Sequence, residues 1–423
     1  MIRVVEAFTK ATATLMSIEA HRSGVGDWVR SDRPIRRASE DRLDRADFAR
    51  QIAAGLVSEP TTESVVVAVV GSGGIGKSSV LRLVRAEVVA QGDSACVVDF
   101  NPWLYAGDLE LAAHLLGEIG GGVHAALKDR DADLAGRLVD TFEGAVRVAR
   151  FGGRMVAKAV AQRAGAPSDL IAVVLPEDEV TAKDVQARLT EQLADLPFHV
   201  FVFIDEVDWL PPDEVRELVR VLRVVADLPR TTYVLAFDRV RVEQVLGGSD
   251  RARGRAYLEK IVDVSYDVPS PSAGDLRAML LAGTREALAG ARIAPRGTRS
   301  DDLSARLEAA VMPFVTSPRD VGRYVRSLPS AIGLYGKDRD LADVVALTGV
   351  RVFAPEAFSL WLTSPATRDA LTNAPKTPDD AEASRRRIRE FCEADPRHAQ
   401  ALRSLTQAAF PVARELMRDD ASS

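Results

Sequence analysis

Two kinds of apolar spacing divide this chain. From residue 65 to 268, short continuous apolar runs alternate with stretches of helical spacing; beyond residues 269–271 only helical spacing remains. The runs cover residues 65–70, 95–100, 199–204, 232–237 and 261–268, and the second half of each is followed by Gly, Pro, Asn or an acid. Runs this short predict strands, and those at 65–70 and 199–204, rich in Val, Ile and Phe, predict strands covered on both faces, as in a parallel sheet sandwiched between helices. Helical spacing predicts helices over 1–22, 41–56, 78–90, 108–126, 140–164 and 176–196, with another starting at Pro211-Pro212. In the second of these Leu43, Phe48, Ile52 and Leu56 share a side; in the fourth, Gly120-Gly121-Gly122 predicts an interruption or an end. The all-helical remainder predicts helices over 272–290, 302–316, 318–335, 338–363, 378–395 and 396–418, and 419–423 reads as a disordered tail. The expected organisation is therefore a helical lead-in over 1–60, an α/β core over 61–270 with an insertion at about 128–175, and a helical domain over 271–418.

Candidate chemistry concentrates at the ends of those runs. The first feeds into Gly71-Ser-Gly-Gly-Ile-Gly-Lys77-Ser78-Ser79, a G-x-x-x-x-G-K-[ST] loop opening onto a helix. Strand, glycine-rich loop and helix N-terminus together form an anion site, because unpaired amides and the helix dipole face the ligand. Gly71, Gly73, Gly74 and Gly76 let the backbone approach phosphate oxygens, Ile75 lies within the cradle, Lys77 reaches β- and γ-phosphates, and the Ser78 hydroxyl serves Mg²⁺ with Ser79 beside it. The third run ends in Asp205-Glu206. There Asp205 is the candidate to orient Mg²⁺ and Glu206 the candidate base for water, the alternative being two acids that only cap the next helix. Asp238 ends the fourth run at the same predicted sheet edge and is either a γ-phosphate sensor or a turn acid. Arg319, in Ser317-Pro-Arg-Asp320, opens a helix of the all-helical part and is a candidate lid contact to nucleotide.

Composition narrows the setting. A 423-residue chain that is 47% hydrophobic can bury more than one core, and a formal charge of −6 argues against a protein that coats nucleic acid. Cys96 and Cys392 lie far apart and read as reduced core residues, and five scattered histidines, His114 and His124 among them, offer no ligand spacing for a metal. Charges break up the first 25 residues and every long apolar stretch, so neither a signal peptide nor a membrane span is expected, and residence in the cytoplasm is. Arg147, Arg150, Arg154 and Lys158 form a basic stripe opposite Phe142, Val148, Ala149 and Met155. Such a helix either packs its apolar side on the protein's own core or rests on an anionic membrane surface or in a partner's groove.

These residues resemble the KAP family of P-loop NTPases, a STAND-type branch with an AAA+-like core. The likeness is carried by Asp32-Arg-Pro-Ile35 with Asp41, the loop at 71–79, Phe100-Asn-Pro-Trp103, Ile204-Asp-Glu-Val-Asp208, Leu235-Ala-Phe-Asp-Arg239, Tyr257-Leu-Glu-Lys260 and Ser317-Pro-Arg-Asp320. It implies a parallel sheet of order 5-1-4-3-2 in a three-layer sandwich, a helical lid, and an ATP- and Mg²⁺-dependent switch of the kind linked to phage exclusion and often to membranes. Two departures stand out: the basic amphipathic segment replaces the family's usual transmembrane insertion, and Glu206 stands where the family has Asp, which favours hydrolysis. The resemblance leaves output to self-assembly or to a partner protein. ATP hydrolysis is the expected activity, and a nucleotide-gated scaffold with negligible turnover is the alternative.

Overall fold

The computed structural model describes residues 33–35, 37–58, 62–105, 111–163, 182–224, 228–290, 300–335 and 341–420. The helix expected over 1–22 and the tail residues 421–423 lie outside them, as does Asp32. The chain divides into two compact units, one spanning Pro34–Pro269 and the other holding Ser270–Ser423.

The first unit is built on five parallel strands, β1 (Val65–Val70), β2 (Ala95–Phe100), β3 (His199–Ile204), β4 (Thr231–Phe237) and β5 (Val264–Asp267), in the order β2-β3-β4-β1-β5. Read from the other edge this is 5-1-4-3-2, the order implied by the family resemblance. Each strand splits its residues by parity, as a pleat requires. Val66, Ala68 and Val70 join Val98, Val202, Ile204, Tyr233 and Leu235 on one face, while Val67 and Val69 join Phe201, Phe203, Val234 and Ala236 on the other. The second face is covered by α1 (Ala46–Ser58) and α2 (Lys77–Val89). The first is covered by α3 (Leu111–Leu127), α4 (Ala132–Arg163), α5 (Ala182–Ala194) and α6 (Pro212–Val224), which makes three layers. Short helices α7 (Arg239–Gly247) and α8 (Arg251–Leu258) lead from β4 to β5.

Several local expectations need correction. Helix α3 runs unbroken through Gly120-Gly121-Gly122. The outer two of these glycines serve packing: a Cβ on Gly120 would stand 2.8 Å from the Phe142 ring, and one on Gly122 2.6 Å from Val98 Cγ2. Tertiary fit thus outweighs the roughly 1 kcal/mol that each glycine costs a helix. Helix α4 reaches Arg163, close to its expected end, but starts at Ala132 and not at 140. Up to residue 150 its apolar side packs on this unit's own core through Phe142, Ala145, Val146, Val148 and Ala149, with Arg147 and Arg150 exposed. The expected helix start at 41 moves to Ala46, because the Asp41 carboxylate accepts from the amides of Leu43, Arg45 and Ala46 and caps that end. The strand expected over 261–268 shortens to Val264–Asp267.

The helical unit comprises α9 (Ala273–Gly290), α10 (Ser300–Ala310), α11 (Pro318–Tyr335), α12 (Leu341–Phe353), α13 (Pro355–Thr363), α14 (Pro365–Thr372), α15 (Pro378–Glu393), α16 (Ala399–Ala409) and α17 (Pro411–Asp420). Two expected long helices, 338–363 and 396–418, are each cut into two. At Pro355 and Pro411 the ring removes the amide that a continuous helix would use, and the proline starts a new helix instead. Residues 419 and 420, expected in the tail, belong to α17. Among the described residues no helix is long and apolar enough to cross a membrane, and Cys96 and Cys392 are buried free thiols.

Candidate functional site

The strand order decides where the site forms. β4 lies between β1 and β3, so the loop after β1 and the acids after β3 are two strand spacings apart, about 10 Å, with the first turn of α2 bridging them. The bridge is made: Ser78 Oγ donates to Asp205 Oδ1 at 3.0 Å, and the same oxygen accepts the Glu206 amide at 2.8 Å. Burial pushes the Asp205 carboxyl above the usual range; the Ser78 and Glu206 hydrogen bonds and the charges of Arg82 and Lys77 pull it back. The half-buried carboxylate is therefore fixed in direction by two donors.

The loop itself is shaped by its glycines. Gly74 and Gly76 sit at φ of 79° and 108°, in the region that strains any residue with a Cβ. A Cβ on Gly76 would also collide with the Arg45 guanidinium, and one on Gly71 would press on Ile75 Cγ2 at 2.9 Å. The loop is tied to the sheet where the Gly71 amide donates to the Phe237 carbonyl at 3.3 Å. Ser79 Oγ faces outward from this cradle and accepts the Ile35 amide at 3.3 Å.

Lys77 is folded into the loop. It is buried, and Nζ donates to the carbonyls of Gly71 at 3.0 Å and Ser72 at 3.3 Å. It also lies 3.7 Å from Asp208 Oδ2, an acid three residues beyond Asp205 with a side chain only 3% exposed.

Three acids thus leave one turn in three directions. Glu206 takes φ of 60°, opens the short 3-10 turn Val207–Trp209, and is exposed. That single left-handed residue sends Asp205 toward Ser78 and Asp208 toward Lys77. Asp238 is the N-cap of α7, its carboxylate accepting the Arg241 amide at 3.3 Å, which is the turn-acid role. Arg319 belongs to the helical unit, at the first turn of α11.

Two further residues act on the loop. Arg45 is 5% exposed; its guanidinium donates to the Ile75 carbonyl and, at 2.9 Å, to the Pro269 carbonyl, so it clamps the loop to the segment after β5. Burial lowers its pKa, opposed by Asp41. No motif marks it; the only signal is an Asp four residues before a predicted helical Arg. Asp208 is quoted in the acidic motif but the pattern gives it no role.

Among the described residues no three His, Cys, Asp or Glu side chains converge as a metal cage. The donor set at Ser78 and Asp205 is instead two hard oxygens, one anionic and oriented. This fits a Mg²⁺ that is bound by one or two protein ligands and completed by phosphate and water.

Comparison with known proteins agrees with this geometry. Residues 45–332 match the KAP family P-loop domain. The chain is 28% identical over 267 residues to the phage T7 exclusion protein of Escherichia coli (strain K12), an alignment that takes in 58% of this chain and 36% of that one. It thus spans about a third of the length of that relative. Among solved structures, Cdc6p from Pyrobaculum aerophilum superposes with a TM-score of 0.43 at 16% identity, covering 91% of this chain and 89% of that one. The Aeropyrum pernix ORC2 protein gives 0.40 at 13%, covering 95% and 100%. At such TM-scores these superpositions add nothing to the fold read from the sheet. With its family match running through the loop, the acidic turn and into the helical unit, this chain belongs to the KAP family of P-loop NTPases.

Proposed function

We propose that the chain is a Mg²⁺-dependent ATP hydrolase whose nucleotide cycle switches its conformation or assembly state. The observation that carries this reading is the Ser78–Asp205 hydrogen bond at 3.0 Å, which joins the phosphate loop to the acidic strand end across an intervening strand. A serine hydroxyl and an oriented carboxylate placed together at a loop of open amides make the binding half of a phosphoryl-transfer site.

The residues divide the work as follows. Amides of 73–78 and the Lys77 ammonium bind the β- and γ-phosphates. Ser78 and Asp205 hold Mg²⁺, which when bound supplies positive charge at the phosphate oxygens. Glu206, exposed at the turn, accepts the proton of the attacking water and orients it. Asp238 holds the start of α7 beside the loop. Adenine as the base follows the family. As a biological setting we assign phage exclusion, on the 28% identity to a phage T7 exclusion protein.

The test is phosphate release by the purified full chain, with Lys77→Ala and Glu206→Gln as controls, alongside size determination with and without ATP. Turnover that falls at least a hundredfold in both variants, with Glu206→Gln still binding ATP, supports the enzyme. ATP-dependent assembly with no turnover in the wild type would replace it with a nucleotide-gated scaffold.

A further inference from the structure

The ion pair beneath the loop carries an inference of its own, resting on the nucleotide-binding reading above. Lys77 has three N–H donors, and the Gly71 and Ser72 carbonyls take two of them. Its remaining partner is Asp208 Oδ2, at 3.7 Å: an ion pair too long for a good hydrogen bond. Asp208 Oδ1 is buried and has no hydrogen-bond partner among the described residues. A buried carboxylate in this position depends on Lys77 for its counter-charge, since an uncompensated buried charge is strongly unfavourable.

We propose that Asp208 is a positioning residue: an internal counter-ion that holds the Lys77 ammonium back in the loop and competes for it with the phosphates of an incoming nucleotide. Lys77 can turn toward a phosphate only by weakening its hold on Asp208, and Asp208 in turn repels the polyanion. The pair therefore lowers affinity for di- and triphosphates and keeps the loop from holding product indefinitely. The geometry also gives the pair an outlet. Asp208 lies two residues from Glu206 in one 3-10 turn that Glu206 opens at φ of 60°, so a change at Lys77 is felt at the residue assigned to activate water. Trp209, next in the turn and exposed beneath the Arg241 guanidinium, shares that segment.

The test is equilibrium binding of ATP, ADP and AMP to the full-length wild type, Lys77→Ala and Asp208→Asn, each with its thermal unfolding curve. Asparagine keeps the shape and removes the charge. Competition for Lys77 predicts that Asp208→Asn binds ATP and ADP about tenfold more tightly, leaves AMP within twofold, and loses the gain in the Lys77→Ala/Asp208→Asn double variant. A merely structural acid would shift all three ligands together or none. ATP and ADP affinities that are unchanged or weaker in a folded Asp208→Asn overturn the proposal while leaving the nucleotide site standing. Failure of Asp208→Asn to unfold cooperatively overturns it as well, making the pair a structural one. Wild-type protein that binds no ATP in a Lys77-dependent way removes the functional reading, and this inference with it.

Discussion

Arg45→Met tests whether the phosphate loop is braced from outside itself. The guanidinium is 5% exposed and donates to two carbonyls, Ile75 within the loop and Pro269 after β5. Hydrogen bonds from a charged donor contribute about 1.5–3 kcal/mol each, so the gross loss is about 3–6 kcal/mol. Methionine fills most of the volume, and removing a guanidinium whose pKa burial already lowers gives back part of that sum. A net destabilisation of about 2–4 kcal/mol remains, the mid-range of buried polar losses. Because one of the two carbonyls belongs to the residue before Gly76, the loss falls on the loop: with the brace gone, Gly76 and its neighbours sample other conformations and the nucleotide must order them on binding. An ordering cost of 1.4 kcal/mol or more corresponds to a tenfold weaker ATP Kd. Urea unfolding and ATP titration of Arg45→Met and Arg45→Lys measure the two parts. Lysine keeps the charge but cannot span both carbonyls, so it is expected to behave like Met. Unfolding free energy that drops while ATP affinity stays within twofold would refute the loop argument and leave Arg45 as an ordinary brace of the fold.

Two other perturbations have directions set by single distances or single groups. On helix α3, Gly121→Ala meets open space and is exposed, so it is expected to stabilise by about 0.5–1 kcal/mol, whereas Gly122→Ala drives a Cβ to 2.6 Å from Val98 and is expected to destabilise by about 1–2 kcal/mol despite its better helix propensity; thermal denaturation of the pair reads both signs. His199, buried at the start of β3 with Nε2 2.8 Å from Thr232 Oγ1, has its pKa lowered by burial, and by Arg230, from 6.5 to about 4. The folded chain thus keeps this ring neutral where the unfolded chain protonates it, so its contribution is complete above pH 6.5 and is lost as pH falls toward 4. At pH 5 the loss comes to about 2 kcal/mol relative to pH 8, and urea unfolding of His199→Gln at the two pH values should show a correspondingly smaller drop than the wild type.

Much of the first unit is legible in the sequence for a physical reason. Strands covered on both faces are apolar nearly throughout, so β1 and β3 stand out as unbroken runs between turn residues, and a glycine-rich loop that must expose its amides leaves its composition on the chain. The helices were less legible where two signals conflicted. Gly120 to Gly122 spell a break in local terms, and only the proximity of Phe142 to Gly120 and of Val98 to Gly122, residues distant in sequence, explains why glycine is required at those two positions inside a helix. At Pro355 and Pro411 the reverse held: apolar periodicity ran on across a residue whose chemistry was the better guide. The role of Arg45 is not legible in the sequence, since an arginine four residues after an aspartate reveals neither its burial nor the two carbonyls that it joins.

Asp205, Glu206 and Asp208 show what a run of acids conceals. Read along the chain they are three negative charges within four residues, a composition that usually marks a solvated turn. The backbone separates them by one left-handed residue. Glu206 at φ of 60° adopts a conformation that costs an L-residue about 1–2 kcal/mol, and the surrounding contacts hold it there: its amide is bound to Asp205 Oδ1, and its carbonyl accepts the Trp209 amide at 3.0 Å. A relaxed turn would point neighbouring acids alike toward solvent, where like charges simply avoid one another. In the strained turn Asp205 faces a hydroxyl, Asp208 faces an ammonium, and Glu206, the acid proposed to take up the proton of water, is exposed. The strain is therefore best understood as the cost of giving adjacent carboxylates different environments, and different environments are what allow identical chemical groups to do different work.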